Sequence, residues 1–229
     1  MILLQNIEIS KYHYQPGWVL VIIVLSLMLL GYLYAAFNSR FNTFLKVVFL
    51  SRYSVQASRE DRSLSHPVSL LLSLNFILVS SLFILQLFSS GAFFHSEIKF
   101  SFLSFFLTAL TILLVYFVKI IFLKTIAFVL AKQEIMTEYN FTLFLVYQFL
   151  GVVLVPIVIF IAYGPGSLRE GFIFLGLALF LTAFLLRVGK GLSAVLEKRQ
   201  ATLFYLILYL CTLEILPLLI VLKLFEKLV

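Results

Sequence analysis

Glu214 makes the strongest chemical demand in this chain, because it falls near the middle of the apolar run 203–222, within Leu-Cys-Thr-Leu-Glu-Ile-Leu-Pro at residues 210–217. A carboxylate at the centre of a membrane helix costs about 2.5 to 3.5 kcal/mol on insertion scales, so this side chain is expected to face other helices, to be protonated or to be paired. Loss of water favours the protonated acid, which could serve as a neutral hydrogen-bond donor or as a proton carrier. Asn75 and Gln148 fall at similar depth in two other apolar runs, and the three together could form one polar layer. Two readings of that layer stay open: amides and acid bonding across helices to hold a bundle, or a substrate or proton site.

Lys119 lies toward one end of the third run and is the counter-ion Glu214 would need if the two reached a common depth. The plainer reading is that Lys119 and Lys124 snorkel, their four-carbon stems in lipid and their ammonium groups at the interface. Pro217, three residues after Glu214, and Pro156 in the fourth run each remove a helix donor and clash with the carbonyl four positions back, so a kink is expected at both.

Other chemistries have no visible carriers. His13, His66 and His95 all lie outside the apolar runs, and Cys211 is the single cysteine, so no metal site, haem pair or disulfide is expected. Gly164, Gly166 and Gly171, like Gly189 and Gly191, neither follow a strand nor open a nucleotide fold. No nucleophile elbow, His-Glu-x-x-His or paired intramembrane aspartates occur, and no cofactor is expected.

The elements that hold these residues are dictated by composition. Hydrophobic residues make up 63% of the chain and charged ones 12%, against about half and about a quarter in soluble domains. The apolar excess must face lipid. About 20 apolar residues cross roughly 30 Å of hydrocarbon as a helix. Six runs qualify, at 18–37, 67–88, 100–123, 141–163, 171–186 and 203–222, the fifth being the shortest. The runs are continuously apolar, which excludes the alternating segments of a membrane barrel, and only a helix satisfies its own backbone in hydrocarbon. The expected fold is therefore all-α: a polytopic transmembrane bundle of about six spans forming one membrane domain over 1–229. Residues 1–17 lack the basic region and cleavage site of a removable signal, so the first run is expected to stay as a span. No convincing internal repeat is visible, which argues against solenoids and against a transporter built from inverted halves.

Orientation follows from the cations. Twelve of the 17 Lys and Arg residues cluster around the first, third and fifth connections. The positive-inside rule then places those connections in the cytoplasm and both termini outside. The first connection is amphipathic over 40–52: Phe41, Phe44, Leu45, Val48 and Phe49 share one helical face, with Arg40, Lys46 and Arg52 off it. This segment is expected to lie in the headgroup plane with its cations on anionic lipid, and the same pattern would also suit a groove on another protein. Ser51 to His66 is the one markedly polar segment, and Pro67 suits the first turn of the second span. Trp18, Tyr32, Tyr34 and Tyr163 fall near run boundaries, as an aromatic belt requires. The surplus of positive charge is scattered through short connections and fits topology and lipid headgroups rather than nucleic acid.

Two stretches carry a resemblance. Residues 52–82 contain Ser-Arg-Glu-Asp-Arg before Pro67 and then Leu-Leu-Leu-Ser-Leu-Asn-Phe-Ile-Leu; residues 204–224, centred on Tyr209, Cys211, Glu214 and Pro217, are the more specific part. They resemble a Bacteroidota inner-membrane family known as domain of unknown function 4271, over nearly the whole chain. The resemblance implies a bacterial inner-membrane location and one compact helical domain. It implies no reaction and assigns no catalytic residue. The functions compatible with the sequence are a non-enzymatic subunit, scaffold or assembly partner of an envelope complex, with lipid and other membrane proteins or itself as partners; proton-linked or small-solute transport through Glu214, Asn75 and Gln148; and a lipid or polyprenyl enzyme using Arg52, Arg59, Glu60, Asp61 and Arg62. The last is weakened by having only one adjacent acidic pair to hold a divalent metal.

Overall fold

The computed structural model of the chain describes residues 16–36, 67–90, 100–129 and 133–197. Among these residues the chain forms five α-helices and no strand: α1 Gly17–Ala36, α2 Pro67–Ser89, α3 Phe102–Val129, α4 Gln133–Tyr163 and α5 Gly166–Glu197. Four carry stretches long and apolar enough to cross a membrane: Gly17–Ala36, Val68–Ser89, Phe144–Tyr163 and Leu168–Leu186. α3 contributes the apolar stretch Phe102–Val118. The sixth run at 203–222 and the amphipathic segment at 40–52, with Arg40, Lys46 and Arg52, lie outside the described residues.

The first two helices match their apolar runs to within a residue at either end. The last three do not. α3 continues to Val129, α4 begins at Gln133 and α5 covers 166–197 rather than 171–186. Hydropathy reports only the part of a helix that is apolar, whereas backbone hydrogen bonding continues through the polar turns Gln133–Asn140 and Arg187–Glu197. α4 also runs without interruption through Pro156, whose side chain is on the exposed surface of the helix.

Contacts between helices set their directions. Ser26 of α1 meets Asn75, and Leu33 packs with Val68 and Leu72, so α1 and α2 run antiparallel. Gln148 meets Ser69, Gly151 meets Phe76 and Val158 meets Gln86, so α2 and α4 run parallel. Trp18 stacks with Phe100 and approaches Phe102 and Phe105, which starts α1 and α3 at the same end. Phe160 stacks on Phe172 with ring centroids 4.6 Å apart, folding α5 back against α4. The directions thus alternate along the chain.

α2 is the hub, packed against α1, α3 and α4, while α4 carries α5 on its other side. Sixty-one per cent of the spanning stretch is buried in α2 and in α4, against 28% in α1 and 17% in α5. The two central helices therefore supply most of the core, including Leu72, Leu82, Phe83, Leu85, Leu154 and Val158. The outer sides of α1, α3 and α5 expose Val21, Met28, Leu103, Leu114 and Leu181, suited to acyl chains.

The α4–α5 connection is a tight turn at Gly164 and Pro165. Gly164 N donates to Phe160 O at 2.8 Å, and Leu168 N donates to Pro165 O at 3.0 Å. A Cβ on Gly164 would lie 2.3 Å from Phe160 O, inside any permitted contact. Gly164→Ala is accordingly expected to cost about 1 kcal/mol or more, since the native backbone there cannot accept a side chain. Unfolding in mild detergent with graded SDS measures it; a wild-type midpoint would show that the turn yields freely.

Candidate functional site

The polar side chains buried among the described residues are hydroxyls and amides: Ser26, Asn75, Ser80, Ser81, Gln86, Thr108 and Gln148. Hydrocarbon offers them no water, so each must find a partner inside the protein. Ser80, Ser81 and Thr108 do so locally, each hydroxyl donating to the carbonyl four residues earlier in its own helix. These three are silent toward neighbouring helices.

Asn75 acts between helices. Its Oδ1 accepts from Ser26 Oγ of α1 at 2.5 Å, and its Nδ2 donates to Gly151 O of α4 at 3.3 Å. Only the amide nitrogen can face a carbonyl, so this geometry fixes the orientation of the carboxamide. The contact with α4 exists because Gly151 has no side chain: a Cβ there would stand 2.7 Å from Phe76 Cα. Asn75 is fully buried at this crossing and ties three helices together.

Gln148 sits in the adjacent layer, three residues before Gly151. Its Nε2 approaches Ser69 O at 3.0 Å, Ser69 Oγ at 2.8 Å and Ser73 Oγ at 3.1 Å, so two N–H groups are shared among three acceptors on α2. Ser73 Oγ donates to Ser69 O at 2.8 Å and lies 3.1 Å from the Tyr116 hydroxyl of α3. With the single Ser73 hydrogen on Ser69 O, Tyr116 is the donor in that pair. Tyr116 also packs edge-on against Phe144, ring centroids 5.1 Å apart, which fixes its ring between α3 and α4.

Asn75 and Gln148 are thus neighbours on one α2–α4 seam, in consecutive layers rather than in a single one. Glu214 and Pro217 lie outside the described residues. Lys119 is on α3, and the pairing with Glu214 considered from sequence likewise lies outside the described residues. The sequence reading missed Ser26, Ser69, Ser73, Tyr116 and Gly151, which complete the two junctions. A signal existed: serines recur through the second apolar run, and small or hydroxyl residues in membrane helices commonly face other helices.

Gln86 was also missed. It is fully buried near the far end of α2, and its Nε2 donates to Val158 O at a long 3.4 Å. Its Oε1 has no hydrogen-bond partner among the described residues. A small cavity between α1, α2 and α4 reaches Ser26, Leu82 and Val158 and gives a water's centre about 10 Å³. A buried water needs two to four polar partners. Among the described residues Ser26 is the one polar side chain lining this cavity, and it already donates to Asn75, so the cavity favours no water.

Chemically, this arrangement is a set of neutral hydrogen bonds that lock α1, α2, α3 and α4 in register. No curated protein and no solved structure matches the chain. The model of a domain of unknown function, DUF4271, matches residues 19–225, and the chain belongs to that family.

Proposed function

We propose that this chain is a six-span, non-enzymatic protein of the bacterial inner membrane, with both termini outside the cytoplasm, acting as a subunit, scaffold or assembly partner of an envelope complex. The observation that carries the reading is the use made of the two buried amides. Asn75 and Gln148 direct their donors to Gly151 O and to Ser69 and Ser73, bonds that join helices. Groups spent on cross-helix bonds are poorly placed to bind and release a solute, because each release must break bonds that hold the bundle. Lipid surrounds the outer faces, and anionic headgroups meet the cations of the cytoplasmic connections.

Transport of protons or small solutes is the second reading, favoured by the buried Gln86 Oε1, which has no hydrogen-bond partner among the described residues. The two readings part on one experiment. The tagged chain, at native expression level, is solubilised in mild detergent and its native mass is measured beside a growth assay of Gln148→Met and Glu214→Gln. The scaffold reading expects one discrete assembly above the 26.2 kDa chain and variants whose growth follows their abundance. A lone monomer, or variants of normal abundance that fail to grow, would overturn it.

A further inference from the structure

Of the four long apolar helices, α5 is the least covered. Its inner side, with Ile173, Gly176 and Phe180, meets α2 and α4, where Phe83 stacks on Phe180. The opposite side presents Leu175, Leu181 and Leu185, exposed by 49%, 59% and 59%. Between them lie Gly171, Ala178 and Thr182. The space around a Gly171 Cβ is open, and the Thr182 hydroxyl is turned onto Ala178 O. Gly171, Ala178 and Thr182 form a low stripe here, flanked by Phe174, which is exposed by 57%.

Chain connectivity names the occupant. α5 ends at Glu197, and the sixth apolar run starts at Leu203, leaving five linking residues. The six Cα steps from 197 to 203 reach at most about 20 Å. The apolar part of α5 stops at Leu186, and the eleven helical residues beyond it extend about 16 Å further. A chain returning to the level of Leu186 therefore has only about 12 Å left for sideways travel, little more than the 8 to 10 Å between packed helices. The inner side of α5 is already taken by α4, and among the described residues α5 shares no substantial contact with α1 or α3.

We infer that residues 203–222 run antiparallel to α5 on its Leu175–Leu181–Leu185 face. This inference rests on the six-span reading above. With Leu203 level with Leu186, Cys211 comes opposite Ala178 and Glu214 opposite Leu175. The small residues then let the two backbones approach, and α5 shields one side of Glu214 from lipid.

The lone cysteine makes the test direct. Leu175→Cys, Ala178→Cys and Thr182→Cys are made singly and oxidised in native membranes beside Met28→Cys on α1 and Leu113→Cys on α3, both exposed. A protease site within 198–202 reports whether any disulfide to Cys211 joins the two halves of one chain. The expected result is an intramolecular bond from at least one α5 position, several-fold above either control. Disulfide-linked dimers alone would mean that a second copy covers the face, and would overturn the inference, as would bonds from Met28→Cys or Leu113→Cys, or no bond from any α5 position. An aqueous maleimide on the unmodified chain separates the two claims. Cys211 reacting in intact membranes would sink the sixth span itself, whereas a protected Cys211 that bonds elsewhere would sink only this docking.

Discussion

Gly151→Ala is expected to lower the stability of the bundle by about 3 kcal/mol, roughly a hundredfold in the folding equilibrium. The added Cβ would stand 2.7 Å from Phe76 Cα, 2.8 Å from Phe76 Cβ and 3.1 Å from Phe76 N. These atoms belong to the backbone of the central helix or are rooted directly on it, so no rotamer change relieves the clash. α2 and α4 must separate instead. The Asn75 Nδ2 to Gly151 O bond is already 3.3 Å long and would be lost with that movement, and the Phe76 and Tyr147 rings, 5.3 Å apart, would be repacked. Gly31→Ala and Gly17→Ala are the controls, because nothing lies within 4 Å of a Cβ at either position. They should be neutral or stabilising, given the poor intrinsic helix propensity of glycine. Reversible unfolding of all three variants in mixed micelles makes the comparison. If Gly151→Ala unfolds at the wild-type midpoint, the close α2–α4 crossing is not what holds this bundle together.

That crossing marks a boundary in what can be read from residues alone. The helices were legible because an uninterrupted apolar run has one backbone solution in lipid, and hydropathy therefore located α1 and α2 to within a residue. The ends of α4 and α5 were not legible. Gln133–Asn140 and Arg187–Glu197 are polar enough to look like connections, and only the continuing hydrogen-bond ladder makes them helix.

Asn75 and Gln148 stood out because an amide in hydrocarbon demands a partner, yet the demand does not name the partner. Gly151 and Ser26 are ordinary residues in a membrane helix until two helices face each other, and both junctions depend on the parallel register of α2 with α4. Helix order is a property of packing between distant segments, and a one-dimensional pattern of hydrophobicity contains no term for it. Ser69 and Ser73 became partners of Gln148 through that register, while Ser80 and Ser81, in the same helix, turned to their own backbone.

The same junction predicts a second large effect, and the sign of its pH dependence separates a structural amide from a proton site. Asn75→Asp keeps the shape of the side chain but exchanges the Nδ2 donor to Gly151 O for an acid in a fully buried position. If ionised, that acid costs about 2.5 to 3.5 kcal/mol at the centre of a membrane helix. Burial penalises the charged form, so the introduced carboxyl takes up its proton more readily in the folded bundle than in the unfolded chain. The folded state then binds more protons, and the variant should gain stability as pH falls. Asn75→Leu removes both inter-helix bonds without introducing charge. Its expected loss is smaller, about 1 to 2 kcal/mol, because membrane hydrogen bonds average about 0.6 kcal/mol and reach about 1.7. The freed Ser26 hydroxyl can also turn to its own helix backbone, as Ser80 does. Unfolding midpoints measured from neutral to mildly acid pH should therefore rise for Asn75→Asp relative to Asn75→Leu. A flat difference between the two, or an Asp variant as stable as the parent at neutral pH, would mean that Asn75 is reached by water, and the locked-junction account of this seam would fail.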